Sequence, residues 1–190
     1  MSICGLLGGI ADSGGGVTFS GGEPLGQPEF LKSMLSSFRA LEIRTALDTA
    51  GLCPGEALLE VAPLVDLFLF DLKCIDSEKH LQGTGVDNRG VLENLERLSG
   101  VHDNIWIRVP VVPGFNDTLE EMNALARLAA RYASVRQVWL LPYHGSWAGK
   151  PERFGKSAPD AAGLAPPSNE NMERFARLFR AQGLETSIGG

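Results

Sequence analysis

"VDLFLFDLK", residues 65–73, is the stretch on which the fold turns. Its apolar centre, Leu67 to Phe70, shows no polar alternation, and charge returns only at Asp71 and Lys73. A strand covered on both faces reads this way, and such strands belong to parallel sheets flanked by helices. Asp71 and Lys73 are two apart, so on a strand they point to the same face.

Working outward, the same alternation of short apolar runs and helical stripes repeats. Upstream, Val17–Ser20 reads as a strand. Residues 28–39 read as a helix with Phe30, Leu31, Met34, Leu35 and Phe38 on one face. Ile43–Leu47 is β-like, and a helix over 54–62 is stopped by Pro63. Downstream, Val91, Leu92, Leu95 and Leu98 mark a helix closed by Gly100. "IWIRVPVV" (105–112) is a strand whose ladder Pro110 must limit. Asn116 or Asp117 caps a helix running to about Tyr132, with Glu120 suited to a capping box. "QVWLLPY" (137–143) is a strand, and a long Gly/Pro/Lys-rich loop follows to Pro167. Ser168 caps a last helix carrying Met172, Phe175, Leu178 and Phe179, ended by Gly183, and "LETSI" (184–188) closes the pattern as a strand. The resulting β-α alternation predicts an α/β fold with a parallel sheet, open or curled into a barrel.

Composition narrows the class. The chain has 190 residues, 44% hydrophobic and 21% charged, which suits one domain with a substantial core. A net charge of −6 offers no basic footprint for nucleic acid. No apolar run is long enough to span a bilayer. Three widely spaced cysteines, Cys4, Cys53 and Cys74, make no disulfide framework, and a reducing cytoplasm is the simplest setting.

Polar groups gather where the predicted strands end: "SGGEP" after the first, "DTAG" after the second, "DLK" after the third, Arg108 in the fourth and "PYH" after the fifth. Parallel α/β folds bind ligands at that edge. Glu23, Asp48, Asp71, Lys73, Arg108 and His144 are therefore expected to converge on one cleft. Each also has a plainer reading. Gly21 and Gly22 turn the chain or bare their backbone to a ligand. Glu23 is a ligand acid or a helix-entry charge, and Asp48 a site residue or a helix cap. Asp71 and Lys73 form an ordinary ion pair or face a ligand. Arg108, between Ile107 and Val109, must be paired or face a polar interior. His80 and His102 carry no assigned role, and the lid region "HGSWAGKPERFG" either binds a peptide or nucleotide edge or is a plain surface loop.

Five stretches in this order, "GGGVTFSGGEPL", "LDTAG", "LFLFDLK", "WIRVPVVPGFND" and "LLPYH", resemble the activating enzymes of glycyl-radical enzymes. These are radical S-adenosylmethionine proteins akin to the pyruvate formate-lyase activator. The resemblance covers nearly all of residues 14–188 and implies a partial (β/α) barrel. It implies that Gly21, Gly22 and Glu23 approach the amino group of S-adenosylmethionine, and that Asp71, Leu72 and Lys73 hold its ribose and carboxylate side. Asp48, Thr49 and Asp71 resemble a monovalent-cation site of some members, and Arg108 and His144 would line the same cleft. It further implies a 4Fe–4S cluster that cleaves S-adenosylmethionine, and a glycyl-radical enzyme as partner, whose glycine yields a hydrogen atom to the adenosyl radical.

Such a cluster is held by a C-x3-C-x2-C loop on soft thiolates, and this sequence has no such loop. Cys53 and Cys74 read as small buried hydrophobes. The expectation is a member lacking the first β/α unit of the fold, with residues 1–13 a remnant and 14–190 the barrel domain, inactive in the radical step as it stands. Two alternatives stay open: a cluster-free module binding S-adenosylmethionine or a peptide, and a non-radical metabolic barrel enzyme using Asp71 and His144 as acid and base.

Overall fold

The computed structural model describes residues 15–143 and 165–189. Six parallel strands lie side by side in chain order: β1 (Gly16–Phe19), β2 (Arg44–Thr49), β3 (Leu67–Asp71), β4 (Ile105–Val111), β5 (Val135–Pro142) and β6 (Thr186–Ile188). Helices make every crossover: α1 (Pro28–Ala40), α2 (Gly55–Val61), the pair α3 (Ser77–Thr84) and α4 (Arg89–Ser99), α5 (Leu119–Ala129) and α6 (Asn169–Arg180). Among the described residues the sheet does not close, since β1 and β6 stand at opposite ends of the order.

The strands sort their side chains between two faces. Leu47, Phe68, Phe70, Ile105, Ile107 and Val138 are fully buried in the core shared with Leu35, Leu58, Leu95, Leu125 and Phe179 of the helices. The alternate residues Asp48, Leu69, Asp71, Trp106 and Arg108 are half-buried on the other face. Burying one such aliphatic or aromatic side chain contributes about 1.5–3 kcal/mol, so the register that puts Phe68 and Phe70 toward the helices also fixes Asp71 on the opposite face. Beyond the tips of β3, β4 and β5, a small second cluster of Cys74, Val112, Phe115 and Tyr143 seals the loops.

The expected strands and all five expected helices are present. Pro110 sits in a central strand without loss. Arg108 turns its carbonyl toward β3, where the Leu72 amide donates to it at 2.9 Å. Two residues on, Pro110 faces the same way, but β3 has ended at Asp71. The Pro110 carbonyl takes the Asn116 amide instead, at 2.7 Å.

Three local expectations are corrected. Thr118, not Asn116 or Asp117, caps α5, accepting from the Glu121 amide at 3.2 Å. Phe30 is 63% exposed rather than part of the buried stripe, which reduces to Leu31 and Leu35 with Phe38 at its edge against Phe19. Helix α3 had no predicted counterpart. Its sequence, SEKHLQGT, carries almost no apolar stripe; its ends define it instead. Asp76 Oδ1 accepts from the amides of Glu78 (2.9 Å) and Lys79 (3.0 Å), and Gly85 closes it at φ 83°.

Candidate functional site

At the C-terminal tips of β1, β2 and β3 a pocket of about 210 Å³ opens. Gly21, Gly22 and Glu23 form its first wall, Asp48, Ala50 and Leu52 the second, and Asp71 and Lys73 the third. His80, Thr84 and Val86 from the end of α3, with Val91 of α4, close the far side. Sites that bury a drug-sized ligand enclose ~300–1,000 Å³, so these walls account for part of such a site.

Gly21 adopts φ 137°, a conformation that a side chain would strain, and a Cβ added at Gly21 or Gly22 would meet no protein atom within 4 Å. At Gly22 neither strain nor crowding demands glycine, and what its missing side chain provides is open backbone on the pocket wall. Gly51, in the loop after β2, differs: at φ 69° its Cβ would stand 2.3 Å from the Phe70 ring, so packing alone accounts for it.

Glu23 does more than face the pocket. Thr49 Oγ1 lies 2.8 and 2.9 Å from its two carboxylate oxygens, and the Ala50 amide donates at 3.0 Å. Thr49 Oγ1 also accepts from the Gly51 amide at 2.9 Å. The carboxylate thus ties the glycine turn after β1 to the tip of β2. Burial raises the Glu23 pKa, against the opposing pull of the Thr49, Leu25 and Ala50 hydrogen bonds and of Lys73.

On the inner face, Asp71 and Arg108 stand directly opposite in the β3–β4 register. Arg108 Nε donates to Asp71 Oδ1 at 2.9 Å, and its Nη2 reaches both Asp71 Oδ1 at 2.7 Å and Asp48 Oδ1 two strands away. Ser20 Oγ donates to the other Asp48 oxygen at 2.8 Å. Burial opposes the guanidinium charge, but the two carboxylates outweigh it and hold the Arg108 pKa above its ordinary value. Lys73 Nζ lies 3.5 Å from Asp71 Oδ2. The requirement that a charge within the "IWIRVPVV" strand be paired is met by two carboxylates.

The expected residues are therefore not all alike in the fold. Gly21, Gly22, Glu23, Asp48, Asp71 and Lys73 share the pocket wall. Arg108 stands beside it through its carboxylate partners. Thr49 is 1% exposed with its hydroxyl committed to Glu23 and Gly51, and the Leu72 side chain is fully buried in the core. Neither side chain lines the pocket, so Leu72 offers a ligand only backbone. His144, Cys4 and the stretch 144–164 lie outside the described residues.

Four residues without a predicted role at the site matter here. His80 lines the pocket at 4% exposure; its signal was the Asp76 cap and Gly85 that bound α3. Three buried asparagines hold the loops that carry the site. Asn94 donates to the carbonyls of Gly51 and Cys53, both at 2.9 Å. Asn88 donates to those of Cys74 and Ile75 at 2.9 and 2.7 Å. Asn116 donates to those of Lys73 and Pro110. Nothing in the sequence alone marks an asparagine as spanning loops 43 residues apart.

Of the cysteines, Cys53 and Cys74 lie within the described residues. Burial pushes both thiols up to about 12, as for buried structural cysteines. Among the described residues no three His, Cys, Asp or Glu side chains are grouped to hold a metal ion.

A parallel α/β sheet with bare glycine backbone, three carboxylates and a lysine meeting at its strand tips is a half-barrel with a candidate small-ligand site at its open end. Residues 8–129 match the profile of the Radical SAM superfamily. The chain is 36% identical over 181 residues to the trans-4-hydroxy-L-proline dehydratase activating enzyme of Clostridioides difficile, covering 94% of this chain and 60% of that protein. It is 37% identical over 179 residues to the choline trimethylamine-lyase activating enzyme of Oleidesulfovibrio alaskensis, covering 93% and 57%. A crystal structure of a domain of the pyruvate-formate lyase-activating enzyme from Bacteroides vulgatus superposes with a TM-score of 0.78 at 32% identity, covering 93% of this chain and 99% of that domain. The chain belongs to the radical SAM superfamily and, within it, to the glycyl-radical enzyme activating enzymes. It spans about three fifths of the length of these two curated relatives. Its six parallel strands form the partial barrel of that fold.

Proposed function

We propose that this chain is the S-adenosylmethionine-holding part of an activator of a glycyl-radical enzyme. The observation that carries the reading is the convergence of Gly21, Gly22, Glu23, Asp48, Asp71 and Lys73 on one pocket. The open backbone at Gly21 and Gly22 suits the ligand's amino group. Three carboxylates, Glu23, Asp48 and Asp71, face two cations, Lys73 and Arg108, and an excess of negative charge favours a ligand that carries a sulfonium. Lys73 suits the ribose or carboxylate side. Asp48 and Asp71, tied by Arg108, hold the inner face in register, and Glu23 holds the glycine turn against β2.

The bound ligand supplies the family's radical chemistry once reduced by an iron–sulfur cluster, and the partner is a glycyl-radical enzyme presenting its glycine loop. The described residues do not fit such a cluster, so no redox step is assigned to them. Binding in the absence of iron is the activity assigned to this part of the chain.

Isothermal titration of the purified chain with S-adenosylmethionine tests the reading. Saturable binding is expected, weakened at least tenfold by Lys73→Met, which removes a charge-assisted contact of roughly 1.5–3 kcal/mol. Iron taken up on anaerobic reconstitution should be unchanged by Cys53→Ser with Cys74→Ser. Absence of binding, or equal binding by Lys73→Met, would overturn the assignment of the pocket. Iron uptake lost with those two serines would restore the cysteines as ligands.

A further inference from the structure

His80 is a buried imidazole with one nitrogen accounted for. Its Nδ1 lies 2.8 Å from the Val86 carbonyl and 3.0 Å from Thr84 Oγ1. A carbonyl only accepts, so Nδ1 carries the hydrogen. Thr84 Oγ1 in turn lies within donating distance of the His80 and Val86 carbonyls, at 2.7 and 3.0 Å. These bonds close the last turn of α3 and are a sufficient structural use for Nδ1. They leave Nε2 as the acceptor nitrogen of a ring that is 4% exposed and lines the pocket. A neutral imidazole that donates through one nitrogen offers the other as an acceptor, here to whatever fills the pocket.

The neighbourhood selects the donor. Lys73 lines the same pocket, and its ammonium offers hydrogens only. A ligand carboxylate would suit Lys73 but would meet the Nε2 lone pair with lone pairs of its own. Protonating the ring would relieve that clash, yet burial and the nearby Lys73 charge lower the His80 pKa and outweigh the Val86 carbonyl and Asp87, which raise it. An ammonium would suit Nε2 and repel Lys73. A hydroxyl satisfies both, accepting from Lys73 and donating to Nε2.

We propose that His80 is a ligand-binding residue of this pocket, its Nε2 accepting a hydrogen bond from a sugar hydroxyl that Lys73 contacts from the other side. The inference rests on the reading of the pocket as a site for S-adenosylmethionine, and there the group is a ribose hydroxyl. It makes the end of α3 part of the binding site and gives the pocket a means of preferring ribosyl over deoxyribosyl ligands. A site that hydrogen-bonds a ligand hydroxyl discriminates against the analogue lacking it, because its own polar groups are left unpaired.

The two nitrogens are separable by substitution. In His80→Asn the side-chain amide reaches the Nδ1 position and keeps the Val86 bond, but no atom occupies the Nε2 position. Titration of wild type and His80→Asn is done with S-adenosylmethionine and with its 2′-deoxy and 3′-deoxy analogues, alongside urea unfolding. Expected is roughly tenfold weaker binding of the parent ligand to His80→Asn with little change in the urea midpoint at about pH 7.5, where the imidazole is neutral in both the folded and the unfolded chain. One of the two deoxy analogues should bind wild type and variant alike, showing that its hydroxyl and Nε2 act as a pair. Equal affinity of both proteins for all three ligands would overturn the role of His80 while leaving the pocket assignment standing. No binding of S-adenosylmethionine by wild type would overturn both. Should His80→Asn fail to fold, the 15N resonance of His80 Nε2 in the wild-type chain decides: addition of S-adenosylmethionine should shift it as a hydrogen-bonded acceptor, and an unmoved resonance rejects the proposal.

Discussion

Arg108 shows how one side chain can tie three strands. Its side chain keeps 17% exposure and those of its partners 13% each, so the three charges interact with little solvent between them. Asp48 and Asp71 both accept from Nη2, which makes each carboxylate's position depend on the same guanidinium. Removing it leaves two like charges close together on the inner face. Breaking a buried pair by deleting one partner costs roughly 3–5 kcal/mol, so Arg108→Met should destabilise by about 3 kcal/mol in urea unfolding. Adding Asp48→Asn and Asp71→Asn to that variant should recover most of the loss, because the two carboxylates that lost the guanidinium are neutralised with it. A triple variant no more stable than Arg108→Met would mean that packing of the guanidinium stem, not charge, sets the cost. The need for a partner was legible from "WIRVPVV" alone. The identity of the partners was not, since Asp48 and Arg108 are brought together only when β3 is laid between their strands.

Among the elements, those built on apolar periodicity were legible and those built on end chemistry were not. β3 was readable because Leu67 to Phe70 admit no other placement, and α6 because Met172, Phe175 and Phe179 recur on one face. α3 has no such stripe and exists through its Asp76 cap and Gly85, so His80 went unassigned with it. Asn116 was read as a helix cap from its place before an apolar stripe. Its side chain instead fills a gap between three loop groups, donating to the Lys73 and Pro110 carbonyls and accepting from the Val112 amide at 2.8 Å. Asn116→Ala would strand all three in a fully buried site, and each unsatisfied group costs about 1–3 kcal/mol. A loss of roughly 3 kcal/mol or more is expected, with faster amide exchange at Leu72 to Cys74 and weaker ligand binding, since Lys73 is anchored through its own carbonyl. Asn116→Asp should be no better, because a carboxylate cannot donate to either carbonyl. Exchange at Leu72 to Cys74 unchanged in Asn116→Ala would show that the β3 tip holds its shape without it.

The pocket joins two groups whose titrations pull folding in opposite directions. The sequence placed Glu23 at the site because a strand tip rich in glycine and ending in an acid is distinctive. It gave no sign that the carboxylate would be buried against Thr49, a contact 26 residues away. Glu23 has a folded pKa raised from 4.5, chiefly by burial. Its favourable contribution is complete below pH 4.5 and is lost as pH rises through the higher folded value. His80 has a folded pKa lowered from 6.5, chiefly by burial with Lys73 adding to it and the Val86 carbonyl and Asp87 opposing. Its contribution is complete above pH 6.5 and is lost as pH falls through the lower folded value. Urea midpoints measured from pH 4.5 to 7.5 should therefore carry a falling component from Glu23 and a rising one from His80. Glu23→Gln should remove the first and steepen the net rise toward neutrality, while His80→Asn should remove the second and flatten or invert it. If both variants followed the wild-type curve at every pH, neither buried group would be the source of the pH dependence, and the exposed carboxylates would have to carry it.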